Sequence, residues 1–306
     1  MAAFTRILPL LLALATTPAA AEPPVPLLWK ASNGDTSVYL LGSFHLLKPG
    51  DYPLSPDVDA ALEDAEAVLF EVPPAEMASP EVAVKMLQAA VRTDGTTLDQ
   101  EIGPELAARL RAWSDALPEG SPYSAQMLQS FEPWFAGLVI SIQQMTQFGL
   151  EESLGLDRHF MARAEEAGKP VAGLETVAAQ IALFDGMDRV EQVQMLADAL
   201  EDIESGMDEI MALHGAWRAG DAAFLHERMA AEMRAEFPEL YQAINVDRNQ
   251  AWLPQLVERL ETGEGDDTLV VVGALHLLGE DGVVEGLRER GYAVERICSA
   301  CATDAD

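Results

Sequence analysis

The sequence predicts an α/β fold: a central mixed β-sheet flanked by helices, with a large helical insertion between its two halves. Three observations carry that expectation. Short apolar runs alternate with helical patterns near both ends of the chain. Between residues 76 and 267 the apolar positions recur mostly at the helical period of about 3.6 residues. Gly-x-x-His-Leu-Leu also follows an apolar run twice, in "VYLLGSFHLL" from Val38 and in "LVVVGALHLL" from Leu269.

The first segment, "MAAFTRILPLLLALATTPAAAEPP", carries Arg6, an apolar run from Ile7 to about Ala15 and the small residues Ala19, Ala20 and Ala21. That is the pattern of a cleavable Sec-type signal peptide over residues 1–21, which implies a periplasmic or secreted protein. Its apolar run falls short of the roughly 20 residues a permanent span needs, and no later segment approaches that length, so no stable membrane span is expected. The remainder, residues 22–306, reads as one α/β domain.

In "LLWKASNGDTSVYLLG" two apolar runs flank Asn33-Gly34, which predicts a hairpin of strands near 27–31 and 37–41 joined by a loop longer than two residues. "KPGDYPLSP" is a turn-rich loop, and Ser55 with Pro56 supplies the cap and first turn of a helix running to Ala65. "AVLFEV" from Ala67 reads as a buried strand ending in an acid. Helices follow in "ELAARLRAWSDAL", "FAGLVISIQQMTQF" and "RVEQVQMLADALEDIESGM". They are interrupted by "LDRHFMARAEEAGKPVAGLET": a helix with its start capped near Asp157, a stop at Gly168, then a short strand at 170–174 ending at Glu175. "DDTLVVVGALH" is another buried strand, "DGVVEGLRERG" a helix stopped at Gly291, and "AVERI" a last strand.

Charge narrows the partners. With 19 Lys and Arg against 51 Asp and Glu, the formal net charge is −32. Such a surface repels phosphate backbones and anionic lipid, so nucleic-acid partners are not expected. The two cysteines, Cys298 and Cys301 in "CSAC", predict a short-loop disulfide in an exported protein.

The chemistry collects at the ends of strands, where α/β sheets present side chains to a crevice. His45, Glu71, Glu175 and His276 each follow an apolar run, and in neighbouring strands they would converge. Gly42 and Gly273 leave room for close approach and for the strand to bend before each histidine. Two His and one carboxylate suit a catalytic metal site with an open position for water; the same residues also suit metal-free general acid–base chemistry. His159, His214 and His226 lack partners at metal-ligand spacing and are set aside. Stripes such as Trp134, Phe135, Met145 and Phe148 read as helix core that could also line an apolar groove. No nucleophile elbow, His-Glu-x-x-His helix, phosphate loop or dinucleotide fingerprint is present.

Taken in order, "LLWKASNGDTSVYLLGSFHLLKPGDYPLSPDVDAALEDAEAVLFEV", "GKPVAGLETVAAQIALFDGM", "VDRNQAWLPQLVERL" and "LVVVGALHLLGEDGVVEGLRERGYAVERI" resemble the TraB/GumN family, which is similar to the animal TIKI proteins. The resemblance implies an α/β fold with paired Gly-x-x-His motifs and an acidic residue at the active centre, and, from its TIKI branch, a divalent-metal-dependent peptidase. Its motif positions here are Gly42, His45, Glu71, Gly273 and His276, with Arg248, Asn249 and Trp252 in the Arg-Asn-x-x-Trp block and Glu175 in "GLET". The reading is therefore a metal-dependent hydrolase acting on a peptide or protein. His45, Glu71 and His276 hold a divalent ion such as Mn, Co or Zn, and Arg248 and Asn249 position substrate. The alternatives are a non-catalytic protein that sequesters a peptide, and a haem binder using His45 or His276 as axial ligand. Spacing adds one detail: Arg248 and Trp252 lie four apart on one helix face, where the ring can fix the guanidinium.

Overall fold

The computed structural model describes residues 22–118, 121 and 123–301, apart from the side chains of 202–207. The expected signal peptide, residues 1–21, lies outside them.

Two apolar runs, β1 (Leu28–Asn33) and β2 (Thr36–Ser43), pair antiparallel with Asn33 opposite Thr36, so Gly34-Asp35 alone makes the turn. The sequence predicts a longer loop. The tighter one closes because Gly34 takes φ +65°, which costs a residue without Cβ nothing.

All eight residues of β2 are buried, as a strand covered on both faces requires. Ser55 caps α1 (Pro56–Asp64) by accepting from the Asp57 N–H, and Pro56 stands in its first turn. β3 (Ala67–Phe70) follows. The insertion then supplies α2 (Pro80–Ala90), α3 (Leu98–Asp115), α4 (Pro133–Gln147) and α5 (Leu156–Glu166). After β4 (Val171–Gly173) come α6 (Val177–Asp185), capped by Thr176, and α7 (Arg189–Ala219). A capping box of Asp188 with Glu191 starts α7, and Gly220 at φ +64° ends it. The chain closes with α8 (Asp247–Thr262), β5 (Thr268–Gly273), α9 (Val283–Glu289) and β6 (Ala293–Arg296). Cys298 and Cys301 are disulfide-bonded beyond it.

Among the described residues, six strands form one mixed sheet in the order β4-β3-β5-β2-β1-β6. Its first four members run parallel, and β1 and β6 join antiparallel. The main core packs both faces of this sheet against α1, α5, α8 and α9, with Leu40, Val270, Phe160, Trp252 and Leu287 buried in it. A separate apolar cluster, including Leu110, Ile140 and Leu196, holds α3, α4 and α7 together. Among the described residues, no helix is long and apolar enough to cross a membrane.

Register sets the site. Ser43 stands opposite Gly273, while Phe70 stands opposite both Val271 and Gly173. The carboxyl ends of four adjacent parallel strands are therefore level, and the residues that follow them emerge at one rim.

Candidate functional site

Glu71 is the first residue beyond β3, and the structure holds its carboxylate from several sides. Gly273 N–H donates to Oε1 at 2.7 Å; Gln180 Nε2 and Arg248 Nη2 donate to Oε2 at 2.9 and 2.6 Å. Glu175, beyond β4, sits alongside, its backbone N–H donating to the Glu71 carbonyl at 2.9 Å. Its own carboxylate accepts from Gln180 at 2.8 Å and from Arg248 Nε at 3.0 Å.

Arg248 lies in the first turn of α8, over the Trp252 ring at 4.8 Å, as their spacing predicts. Its nitrogens are all engaged within the protein. Nε and Nη2 reach Glu175, Nη2 also reaches Glu71, and Nη1 serves the Ile244 carbonyl at 3.0 Å and His276 Nε2 at 2.9 Å. The sequence predicts that Arg248 and Asn249 position substrate; in the structure Arg248 lines the cleft with its nitrogens held by protein partners, and Asn249 is turned inward. Asn249 is 1 % exposed. Its Nδ2 donates to the Asp281 carbonyl at 2.8 Å, which leaves its Oδ1 to accept from His276 Nδ1 at 2.8 Å. That assigns His276 as the Nδ1–H tautomer, with the Nε2 lone pair facing Arg248. With both nitrogens engaged, His276 has none left for a haem iron.

His45 differs from His276 in its surroundings. Its side chain is 56 % exposed and opens into the cleft, and its Nδ1 lies 3.4 Å from Asp157 Oδ1. Asp157 opens α5, where its N–H donates to Ser43 Oγ at 3.2 Å and the Leu156 N–H donates to the Phe44 carbonyl at 3.0 Å. The sequence places Asp157 as a cap of its own helix. The N-cap is instead Gly155, where a Cβ would collide with the His45 carbonyl oxygen. That glycine, immediately before Leu-Asp, is the one local signal that this helix start meets another backbone.

The two motif glycines have separate duties. A Cβ on Gly42 would meet Leu27 Cβ at 3.1 Å and Ala274 Cα at 3.2 Å, so this glycine lets β2 pack into the core. A Cβ on Gly273 would stand 3.2 Å from Glu71 Oε1, 3.5 Å from His276 Cδ2 and 3.8 Å from His45 Nε2. Gly273 is the floor on which those three side chains meet.

Their protonation states diverge. Burial forces the His276 imidazole down to about 3, with Arg248 and His45 adding to the effect against Glu71, so it is neutral. For His45, desolvation in the cleft is outweighed by Asp157 and Glu71, and its pKa rises to about 9. Burial opposes ionisation of Glu71. Charge on the His276 and His45 imidazoles, Arg248 and the Gly273 N–H overcome that opposition and bring it to about 2. At neutral pH His276 is uncharged, and it is His45, Arg248 and the peptide N–H that keep Glu71 ionised there.

The three expected metal ligands come together here, but not as a ligand set. Among the described residues, the one group of His, Cys, Asp and Glu donors lying mutually within 4.8 Å is Asp188, Glu191 and Glu239, which includes none of them. His276 Nε2 is 4.0 Å from Glu71 Oε1, and the Arg248 guanidinium occupies the lone pair of one and an oxygen of the other. The residues as arranged do not fit a divalent ion, because a resident cation already neutralises them.

Two cavities of about 290 and 390 Å³ flank the cleft. His214, set aside in the sequence, lines the smaller one, its Nε2 held by buried Asp51 at 2.8 Å. Asp51 also pairs with Arg218 and accepts from the Lys48 N–H at 2.7 Å, fastening the end of α7 to the loop that follows His45.

The model of the TraB/PrgY/gumN family matches residues 27–296. The chain is also similar to the Uncharacterized protein YbaP of Escherichia coli (strain K12), at 24 % identity over 257 residues that make up 83 % of this chain and 89 % of that protein. The protein of the same name from Shigella flexneri matches with the same identity and coverage. No solved structure matches.

Proposed function

The chain belongs to the TraB/PrgY/gumN family, and from that premise we propose that it is an exported hydrolase of carboxylic-acid derivatives, peptides and other amides foremost. Glu71 and His45 are its acid–base pair. The observation that carries the reading is their opposite displacement in one cleft: Glu71 ionised down to about 2, His45 protonated up to about 9, both converging on Gly273. At neutral pH each group is thereby in the form its role requires, Glu71 a carboxylate and His45 an imidazolium.

In this scheme Glu71 takes a proton from a water as its oxygen attacks the substrate carbonyl. The C–N bond then breaks as His45 gives its Nε2 proton to the departing nitrogen. One amide and one water become one carboxylic acid and one amine, and His45 recovers a proton from Glu71 by way of solvent. Asp157 fixes the His45 ring and favours the imidazolium. Arg248 holds Glu71 ionised, and His276, Asn249 and Glu175 form the frame that keeps the guanidinium in place.

The test is turnover of an amide and peptide panel by the mature protein, with and without chelator, beside Glu71→Gln and His45→Ala. Turnover that resists chelator and is lost in both variants supports the proposal. Activity abolished by chelator and restored by Mn, Co or Zn would instead return the reading to a metal centre.

A further inference from the structure

The two cavities share four lining residues: His45, Leu46, Glu71 and Met145. The acid–base pair thus stands on the partition between two chambers rather than at the bottom of one. Beyond the partition, the smaller chamber is walled by Phe44, Leu150, Ile210, Leu213, Met229 and Leu275. The larger is walled by Phe70, Val72, Met77, Leu138, Ile142 and Met161.

Apart from His45 and Glu71 themselves, the charges that reach these walls are already committed. In the smaller chamber Arg248 has spent its donors on Glu71, Glu175, His276 and the Ile244 carbonyl, and His214 is on Asp51. In the larger one Arg158 pairs with Glu152 and Asp157 with His45. Of the two neutral polar groups there, Gln180 donates to Glu71 and Glu175, and Ser141 carries no charge to set against an ion. Outside the acid–base pair on the partition, no charged wall residue is left to take up the ammonium or carboxylate of a chain end, and an ion brought against the apolar walls without a partner costs several kcal/mol. Each chamber is large enough for one or two ring-sized groups, given that a dry cavity of about 150 Å³ holds one benzene. Met145 at the partition and Met77, Met161 and Met229 beyond it give walls that adapt to side chains of differing shape.

We propose that the substrate is an uncharged acyl compound with an apolar group on each side of the bond, cut internally rather than at a charged end. This rests on the hydrolytic reading above. The acyl part occupies one chamber and the leaving amine the other, so the two products separate into opposite halves of the cleft.

The test uses the mature protein and peptides blocked by N-acetyl and C-amide groups, with Leu or Phe on both sides of the cut bond. Placing Asp, Lys or a free terminus next to that bond, on either side, is expected to lower kcat/KM at least tenfold. Met229→Trp narrows the smaller chamber and Leu138→Trp the larger. The two variants should shift preference toward smaller groups on opposite sides of the bond. Equal turnover of charged-end substrates, or both variants shifting preference on the same side, overturns the proposal. Calorimetric binding of the same peptides to His45→Ala separates it from the reaction itself. Binding with the same two-sided apolar preference in a protein that cleaves nothing leaves the chambers assigned and removes the hydrolysis. Absence of both binding and turnover removes the assignment.

Discussion

Arg248 Nη1 donates to His276 Nε2 at 2.9 Å, and the same guanidinium donates to Glu71 at 2.6 Å. One cation thus fixes the ring of the second Gly-x-x-His motif and the acid that follows a different strand. Each of its nitrogens is bound within the protein.

Arg248→Lys should therefore affect rate rather than affinity. An ammonium supplies three donors on a flexible stem and cannot reproduce the fork that spans Glu71, Glu175 and His276. The expected outcome is a fall in kcat of about a hundredfold with KM changed little, since misplacement of a catalytic group by about 1 Å has that effect. Arg248→Ala should also destabilise the fold by about 3 kcal/mol, because it leaves two largely buried carboxylates without their cation. Steady-state kinetics and urea denaturation read the two effects, and a large rise in KM at constant kcat would mean that Arg248 touches substrate after all.

Stability should peak near pH 6.5 and fall on both sides. His276 titrates at about 3 in the fold against an ordinary 6.5, so below 6.5 the unfolded chain binds a proton that the native one refuses. The slope from this one site approaches ~1.4 kcal/mol per pH unit. Glu71, held below its ordinary 4.5, adds a further loss once pH falls below 4.5. His45 acts in the opposite sense. Its contribution is complete below 6.5 and is lost as pH rises through about 9, and it is small because the ring is half exposed to solvent. Denaturant titrations at pH 4 to 7 on the native protein and on His276→Asn check the acid limb: the variant should lose one proton's worth of slope, and parallel slopes would refute the neutral assignment.

Much of this centre was legible because strand ends are. A run such as "AVLF" or "LVVVG" must be buried, so the first ionisable residue beyond it emerges at a rim, and parallel register brings such residues level. His45, Glu71, Glu175 and His276 are found in that way. Asp157 is not, because it reaches His45 from the start of a distant helix, and only tertiary packing at Gly155 brings the two together. The direction of Arg248 is equally hidden. The spacing to Trp252 predicts that the guanidinium is held, but which partners hold it depends on β4 lying beside β3. The hairpin loop escapes for a simpler reason: Asn33 extends β1 instead of entering the turn.

Gly273→Ala should separate the geometry of the site from the stability of the fold. The added methyl would lie 3.2 Å from Glu71 Oε1, so the carboxylate must move by a few tenths of an ångström. A fall in kcat of about tenfold or more is expected with little loss of stability, since the carboxylate end, rather than a packed core, absorbs the shift. Gly42→Ala should do the reverse, because its methyl presses on Leu27 Cβ and Ala274 Cα in the core, at a cost of about 1–3 kcal/mol. Parallel melts and rate measurements on the two variants test the contrast.

Asp157→Asn carries the sharpest consequence for the proposed roles. In the native protein the acid form of His45 persists up to about pH 9, so if His45 donates the proton, activity should hold from neutrality to about 9 and fall above it. Asparagine keeps the shape of Asp157 but removes its charge, so the imidazolium is less favoured and its pKa falls by about one unit or more. The basic limb of kcat/KM must then move to lower pH by the same amount as the His45 titration followed by NMR. Were His45 the base instead, activity would rise with pH toward 9 in the native protein and the substitution would carry that rise to lower pH. A limb that does not move while the NMR titration does would remove His45 from the proton transfer and leave the ring as a structural neighbour of the cleft.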